Sequence, residues 1–228
     1  MTEETKTKYV SFHDIAKSKK QMLTIMSPIT KESVEFPAFV VDYSDKYGVQ
    51  WSSEESFGRT DPIKSYQSTT RNISIAVSVL AMDAEHGDRN FEEYSRLIRM
   101  LYPVYSAPLA SSGANARTIL APPILDVQMM NYIYSPSDPT GFLRGCISGL
   151  TFKPDFSIGH FIKSDGSIIP KKFDISFDFA PQHRETLGYD QTGRFLRQNF
   201  PYDQAVRKSG ERSNGPPGNG GNKALKGD

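Results

Sequence analysis

The side chains that could support catalysis are few and scattered along the chain. The four histidines, His13, His86, His160 and His183, are not spaced so that any two of them would act as metal ligands. Glu85 directly precedes His86 in a polar break over residues 83–90, where Gly87 and Asp88 are typical of a turn. A solvated pair is a simpler interpretation there than a metal site. The sequence therefore predicts no metal centre.

The stretch Gly145–Gly149 superficially resembles the turn that presents the nucleophile of many hydrolases. That turn requires the order Gly-x-Ser-x-Gly, and Ser148 stands at the wrong position for it. We predict instead a strand in which Gly145 and Gly149 indicate bulges or close backbone approach. Cys146 is expected to be buried and unreactive in this strand. Because Cys146 is the only cysteine, an intrachain disulfide and a cysteine-based zinc site are excluded, as fits a protein made in a reducing compartment.

Three further patterns in the sequence do not predict a catalytic or ligand-binding site. Glu54 and Glu55 are neighbours that a strand would point to opposite sides, so they do not form a catalytic pair. The glycines of 218–221 neither follow a strand nor open a helix, so they do not form a phosphate cradle. Basic and aromatic residues between Arg59 and Arg71 are typical of single-strand binders, but acidic neighbours reduce the local field. We therefore predict no catalytic, cofactor-binding or metal-binding residues, and no enzyme.

Length and composition allow a sizeable core without favouring a charged partner. The 228 residues can form one large domain or two small ones, and 14 Phe with 11 Tyr supply apolar surface. The net charge of +1 gives no general attraction to nucleic acid or acidic lipid. No apolar signal region or run of about 18 apolar residues is visible, so we expect neither a secretory leader nor a membrane span.

The clearest structural signal is the alternation at the end of the folded part of the chain. Phe173, Ile175, Phe177 and Phe179 point one way, and the polar residues between them point the other, which indicates a half-buried strand. Similar alternation predicts further strands. These are residues 22–26, 34–42, 48–53, 71–82, 124–134 and 141–152.

One amphipathic helix is predicted, over residues 91–102. Its apolar residues recur at helical spacing, Asn90 is a plausible N-cap, and Pro103 ends it. Asp165 and Gly166 are typical of a hairpin turn. Because Val49 and Trp51 lie on the same face of an alternating segment, we expect Trp51 to be buried in the core.

The chain is thus predicted to be mainly β, of the α+β class, in three parts. Residues 1–20 form an N-terminal arm with a short helix near residues 12–16. Residues 21–190 form a β domain with the one helix. Residues 191–228 form a Gly/Pro-rich tail that is disordered, or ordered only by a partner, because it holds too few large apolar side chains to offset its ordering entropy.

Two blocks of sequence carry a resemblance to a known family. The first comprises Tyr47–Ser53, Gly58-Arg59, Pro62-Ile63 and Arg71–Ile75. The second comprises Ala121–Leu125, Gly141–Gly145, Ile147–Leu150, Asp165–Pro170 and Phe173–Phe177. In order and spacing, residues 34–180 resemble the tail-tube proteins of contractile phage tails and contractile injection systems, in particular the tube-initiator or hub-adaptor proteins. A Gly/Pro-rich tail stands where the adaptor has an extra small domain, which favours a minimal ring component.

The resemblance implies a small β-barrel or sandwich with one flanking helix, assembled as a hexameric ring at the junction of baseplate and tail tube. The partners it implies are further copies of the chain, the tail tube protein and baseplate hub proteins. DNA would pass through the lumen without specific binding. The location it implies is the virion tail, after synthesis in the cytoplasm of a bacterial host.

The polar faces of two strands are the candidate lumen wall, where an acidic, hydroxyl-rich surface would let DNA slide. These residues are Ser74, Ser78, Asp174, Ser176 and Asp178. Trp51, Arg59 and Arg71 are candidate subunit contacts, within an extended segment 42–70, and the 107–118 loop is another candidate.

Two alternatives remain open at this stage. One is another tail or baseplate component of the same fold, such as a tail terminator or a hub protein. The other is a β-rich carbohydrate-binding or hydrolase module, in which exposed Tyr and Trp rings would stack on sugars.

Overall fold

The computed structural model describes residues 12–37, 39–55, 57–107, 117–136, 138–197 and 200–202. Its helices are α1 (Phe12–Ser18), α2 (Ala84–Met100) and a short 3-10 helix, Phe156–Ile158. Its strands are β1 (Met22–Met26), β2 (Ser33–Pro37), β3 (Phe39–Glu54), β4 (Ile63–Leu80), β5 (Val104–Tyr105), β6 (Ile119–Ala121), β7 (Leu125–Met129), β8 (Leu143–Pro154), β9 (His160–Ile162), β10 (Ile168–Pro170) and β11 (Lys172–Pro181).

Seven of these strands form one antiparallel sheet in the order β2-β1-β7-β8-β11-β4-β3. Strands β9 and β10 pair across the turn at Asp165 and Gly166, which confirms the hairpin predicted there. Strands β5 and β6 form a second small pair. The mainly β, α+β class predicted from the sequence is confirmed.

The sheet is rolled. Strands β2 and β3 lie at opposite edges, yet only residue 38 separates them in the chain. Consecutive Cα atoms are about 3.8 Å apart, so Pro37 and Phe39 lie within about 8 Å of each other. The two edges therefore meet at this corner, although β2 and β3 do not pair within the described residues. The result is an incomplete barrel with an apolar inside and a polar outside.

The alternation predicted for the last strand is confirmed in β11. Phe173, Ile175, Phe177 and Phe179 are at most 3% exposed and belong to the core, whereas the residues between them are half-buried on the other face. The neighbouring β4 contributes Ile73, Ile75, Val77 and Val79 to the same core. Strand β8 adds Leu143, and β1, β2 and β7 add Leu23, Ile25, Val34, Phe36, Leu125, Val127 and Met129.

Helix α2 covers one end of this apolar face. Tyr94 stacks on Phe152 with ring centroids 4.5 Å apart, and Leu97 is fully buried. The helix begins seven residues before the predicted start, because Asp83 rather than Asn90 is its N-cap: the Asp83 carboxylate accepts a hydrogen bond from the backbone N–H of His86 at 2.7 Å. The predicted helix 91–102 was therefore too short at its N-terminus.

Two glycines of β8 confirm the irregularity predicted for that strand. A Cβ at Gly145 would lie 2.4 Å from the backbone oxygen of Ala180 and 2.7 Å from the Phe179 ring. Gly149 has φ +64° at the point where the register between β8 and β11 shifts. The first is a close backbone approach and the second a bulge.

Substituting Gly145 with alanine is expected to lower the free energy of unfolding by about 1–3 kcal/mol, because backbone and ring must both move to admit the methyl group. Gly149→Ala is the comparison, since it adds left-handed strain without a close contact (its Cβ would lie 3.6 Å from Asp178). Urea unfolding of both variants measures the difference. An equal or smaller loss for Gly145→Ala would contradict the packing described here.

Residues 191–197 and 200–202 differ from the tail predicted over 191–228. Phe195 and Phe200 stack with ring centroids 6.0 Å apart, and Tyr202 reaches β3. The predicted tail therefore begins too early, because three aromatic side chains in this stretch find partners on the domain. The rest of it, residues 203–228, lies outside the described residues, as do residues 1–11 of the predicted arm and 108–116 of the predicted contact loop.

Candidate assembly surface

Strands β3 and β4 extend as a ribbon beyond the rest of the sheet. Strand β11 pairs with β4 only from Ile73 to Leu80, so residues 63–72 of β4 pair with β3 alone. We call residues 46–54 with residues 63–72 the overhang. Nine residues of strand span about 30 Å. Residues 46–54 and 63–67 are all exposed, so no other described element covers either face of the outer part.

The overhang carries aromatic side chains in water. Trp51 is 55% exposed and Tyr66 is 57% exposed, and their rings meet edge to face with centroids 5.7 Å apart. The expectation that Trp51 is buried is wrong. Val49 and Trp51 do share one face of β3. At this point, however, β11 no longer pairs with β4, and no described residue outside the ribbon packs on the face that is core elsewhere.

The overhang also presents unpaired strand edges. Strand β3 is the last strand of the sheet, and β4 loses its second neighbour at Ile73. Among the described residues, the outer part of the ribbon therefore offers free backbone N–H and C=O groups along both sides. Such edges readily pair with another chain, and an isolated two-stranded ribbon is at best marginally stable in water.

A buried ion pair lies at the root of the overhang. Arg71 Nε is 3.0 Å from Asp45 Oδ1, and Arg71 Nη2 is 2.7 Å from Asp45 Oδ2. Both side chains are 4% exposed. The two-pronged geometry is the strongest arrangement of a guanidinium and a carboxylate. The structure thus places Arg71 inside the subunit, which corrects its prediction as a direct subunit contact.

Aromatic rings enclose this pair. The Arg71 guanidinium carbon is 5.5 Å from the Tyr47 ring centroid, 5.6 Å from that of Phe200 and 5.9 Å from that of Tyr202. The hydroxyls of Tyr47 and Tyr202 donate to Asp45 Oδ2 at 3.1 Å and 2.9 Å. Arg71 Nε, Arg71 Nη2 and both carboxylate oxygens of Asp45 therefore have hydrogen-bond partners within the protein, as burial of a charge requires.

The environment of Asp45 sets its protonation. Burial disfavours the charged form, but the hydrogen bonds and the charge of Arg71 outweigh it and hold the pKa of the Asp45 carboxyl below its usual range. Burial raises the pKa of Tyr43 and of Tyr47, so both phenols remain hydrogen-bond donors at neutral pH. The root of the overhang is therefore one connected, ionised network.

Stability is expected to depend on pH through Asp45. Because its folded-state pKa is depressed, Asp45 contributes stability above the pKa of the unfolded chain, about 4, and this contribution is lost as pH falls through the lower folded-state pKa. The difference in unfolding free energy between the wild type and Asp45→Asn should be largest at pH 7 and shrink towards pH 2. Urea titrations across that range measure it, and a difference that grows on acidification would contradict the assignment.

The outer face of the sheet is polar where the lumen wall is predicted. Ser74 donates to Asp178 Oδ1 at 2.5 Å, and Ser78 donates to Asp174. Register places Ser176 between these two pairs, opposite Ala76. All five predicted residues thus share one face. The face is less acidic than expected, because the same registers bring Lys153 opposite Asp174, and Lys172 lies 3.8 Å from Asp174.

The predicted contact residues separate into two groups. Trp51 and Arg59 are exposed on or beside the overhang, whereas Arg71 anchors its root. Sequence reasoning missed Asp45, Phe200 and Tyr202 altogether. In the β3–β4 register Asp45 lies opposite Ile73, and Tyr47 lies opposite Arg71. Asp45 and Arg71 are therefore diagonal neighbours across the two strands, a proximity that becomes visible only once the strands are aligned as one long hairpin.

The described residues contain no group of His, Cys, Asp and Glu side chains placed to hold a metal ion. Cys146 is exposed rather than buried, because its strand position is on the outer face, and Gln182 Nε2 lies 3.8 Å from its sulfur. This corrects the expected burial of the thiol.

A cavity of about 260 Å³ lies where the segment after β11 crosses the end of the sheet. Its arginines are already paired: Arg144 with Asp126 at 2.7 Å, Arg184 with Asp138 at 3.5 Å, and Arg197 with Glu185. Burial and the Arg71 charge lower the pKa of His183 in its wall. The cavity is therefore a neutralised polar pocket with no free cation among these side chains.

Comparisons with known proteins add a fold likeness. No protein-family model matches the chain, and no curated protein matches it. A chain in the virion of a native gene transfer agent particle is similar at 10% identity and TM-score 0.30, covering 72% of this chain and 97% of that chain. A chain in the tail of an empty gene transfer agent particle with C6 symmetry is similar at 10% identity and TM-score 0.30, covering 73% and 96%. A likeness at this level supports no argument about function. That argument therefore rests on the surfaces of the chain itself.

No helix among the described residues combines the length and apolar character needed to cross a membrane.

Proposed function

We propose that this chain is a structural protein of a phage-tail-like particle that forms a hexameric ring and initiates the tail tube at its junction with the baseplate. It makes and breaks no covalent bond. Its partners are copies of itself, the tail tube protein and hub proteins, and its place is the virion after synthesis in the bacterial cytoplasm. The sequence resemblance over residues 34–180 supports this function.

The overhang is the observation that carries the proposal. It exposes both faces, two strand edges and the Trp51–Tyr66 pair, a combination that a solitary soluble protein avoids. A neighbouring copy that receives the ribbon would bury these rings and satisfy the edges. In the proposed ring the overhang meets a different surface on the neighbour. Such head-to-tail contacts close into a ring when the rotation between copies allows it.

The polar outer face supplies the lumen wall of the proposed ring. Asp174 and Asp178 are held by hydroxyls of β4, and Lys172 is offset by Asp155 at 3.4 Å as well as by Asp174. Such a surface offers phosphates few unpaired cations. Double-stranded DNA binds proteins mainly through unpaired cations that release its counterions. DNA would therefore pass along this wall without being retained.

Changing both Asp174 and Asp178 to lysine is expected to make the assembled ring retain double-stranded DNA, with affinity that falls steeply as salt rises. The matched control is Glu85→Lys with Glu92→Lys, which reverses two carboxylates on the exposed side of α2. Fluorescence anisotropy with labelled DNA compares the two double variants, after thermal unfolding has shown that they are equally stable. Equal DNA affinity of the two double variants would remove this face from the lumen.

A carbohydrate-binding module is the second candidate, because Trp51 and Tyr66 are both exposed. A sugar stacks on the face of an aromatic ring, and neighbouring rings form one platform when they are nearly coplanar. Here the two ring planes meet at 78°. This edge-to-face geometry is common where aromatic side chains pack in proteins, and it does not form a flat platform for a sugar. A terminator or hub protein of the same fold would differ in its position and stoichiometry within the particle.

Electron microscopy of the purified full-length protein tests the proposal. Negatively stained fields should show rings with a central hole, or short stacks of them, and adding the tail tube protein should lengthen the stacks from one end. A protein that remains monomeric at high concentration and that no tube or baseplate protein recruits would overturn it.

A further inference from the structure

The C-terminal part of the described chain returns to the root of the overhang. We propose that Phe200 and Tyr202 form a clamp that sets the angle at which the overhang leaves the sheet. The inference rests on the proposed function, because it assigns these two side chains to positioning the surface that receives the neighbour. They are positioning residues, and they act through Asp45 and Arg71.

The clamp contacts both strands of the overhang at its root. The Tyr202 hydroxyl donates to Asp45 Oδ2 on β3 at 2.9 Å, and its ring lies over the Arg71 guanidinium of β4. The Phe200 ring meets Tyr47 edge to face, with centroids 6.4 Å apart and an interplanar angle of 82°. Residues 200–202 thus contact Asp45, Arg71 and Tyr47. These three side chains lie where the pairing of β11 with β4 ends and the ribbon begins.

The clamp is itself fixed to the body of the domain. Phe200 contacts Phe195 and the ring of His183, with centroids 6.0 Å and 5.4 Å away. Tyr202 meets Tyr132 edge to face at 6.0 Å, and Tyr132 also packs against Tyr43 at 5.0 Å. A continuous series of ring contacts therefore joins the overhang to the segments that follow β7 and β11.

A free ribbon needs such a support. Beyond Ile73 no third strand supports the overhang, and two-stranded ribbons twist strongly and flex. A ribbon that samples many angles loses this freedom when it docks, and that loss weakens association. By fixing the root, the clamp orders the overhang in advance, so less free energy is lost when a neighbour binds it.

Hydrogen exchange measured by mass spectrometry tests the clamp in the full-length protein, below the concentration at which it assembles. Tyr202→Phe removes only the hydroxyl, and Phe200→Leu removes one of the three rings that enclose Arg71. Exchange in peptides from residues 46–70 should rise about tenfold, the effect of losing a hydrogen bond to a charged group. Peptides from β1 and β7 should be unchanged. Tyr105→Phe and Phe156→Leu, at exposed sites elsewhere, are the matched controls.

The outcomes separate the clamp from the proposed function. Faster exchange confined to the overhang, with weaker assembly of the same variants, supports the clamp. Unchanged exchange, or a rise of equal size in β1 and β7, overturns it, since the residues then act on global stability or not at all. Because exchange is measured on the unassembled protein, the exchange result does not depend on whether rings form. If variants with unchanged exchange still formed rings, the proposed function would stand and the clamp would be ruled out.

Discussion

Replacing Trp51 with serine should raise the protein concentration needed for ring assembly by at least about tenfold, and replacing Tyr66 as well should raise it further. The few interface residues whose truncation costs about 2 kcal/mol or more are enriched in Trp and Tyr. Trp51 and Tyr66 are more than half exposed in the subunit and contact each other. Sedimentation velocity over a concentration series measures the shift.

The same substitutions should leave the isolated subunit nearly unchanged. Substitutions at exposed positions usually alter the free energy of unfolding by less than about 0.5 kcal/mol. Tyr105→Ser and Phe156→Ser are the controls, because each removes an exposed ring that lies outside the overhang. If the controls impaired assembly as strongly as Trp51→Ser, or if Trp51→Ser unfolded the subunit, the overhang would not be the assembly surface.

Replacing Asp45 with leucine is expected to lower the free energy of unfolding by about 3–5 kcal/mol, because the Arg71 charge is left buried without its partner. The double variant Asp45→Leu, Arg71→Met should recover most of this loss, since apolar side chains of similar volume often replace a buried pair without cost. Urea unfolding of the two single variants and the double variant gives the coupling energy directly.

The exposed pair of Lys17 and Glu35 is the control for this cycle. Its atoms are 2.8 Å apart, as close as in the buried pair, but its side chains are 61% and 34% exposed. Lys17→Met should therefore have no measurable effect on unfolding, because water screens such pairs. Equal losses at the two sites would mean that the network at the root of the overhang is not truly buried.

The alternating segments were predictable because their periodicity reports directly on a half-buried sheet. The pattern in β11 specified both its faces, and the glycines of β8 indicated the close approach and the bulge that the structure contains. The start of α2 was missed because Gly87 suggested a turn. In the structure, a Cβ at Gly87 would meet Ile169 at 2.7 Å, so this glycine permits close packing within a helix.

Burial along β3 could not be read from the sequence. The alternation of Val49 with Trp51 is the same signal as in β11, and what differs is whether a neighbour covers that face. Strand length relative to the rest of the sheet decides this, and it depends on where β11 ends. The contact between Tyr202 and Asp45 spans most of the chain, so no local pattern announced it.

Native mass spectrometry of the full-length protein, across a concentration series, tests most directly whether identical copies share these strands. The proposed function predicts one closed species of six copies, with no intermediate size dominating, and a Trp51→Ser variant that forms this species only at a higher concentration. A subunit that stays single at every concentration, or one whose assembly is indifferent to the overhang, would contradict the account.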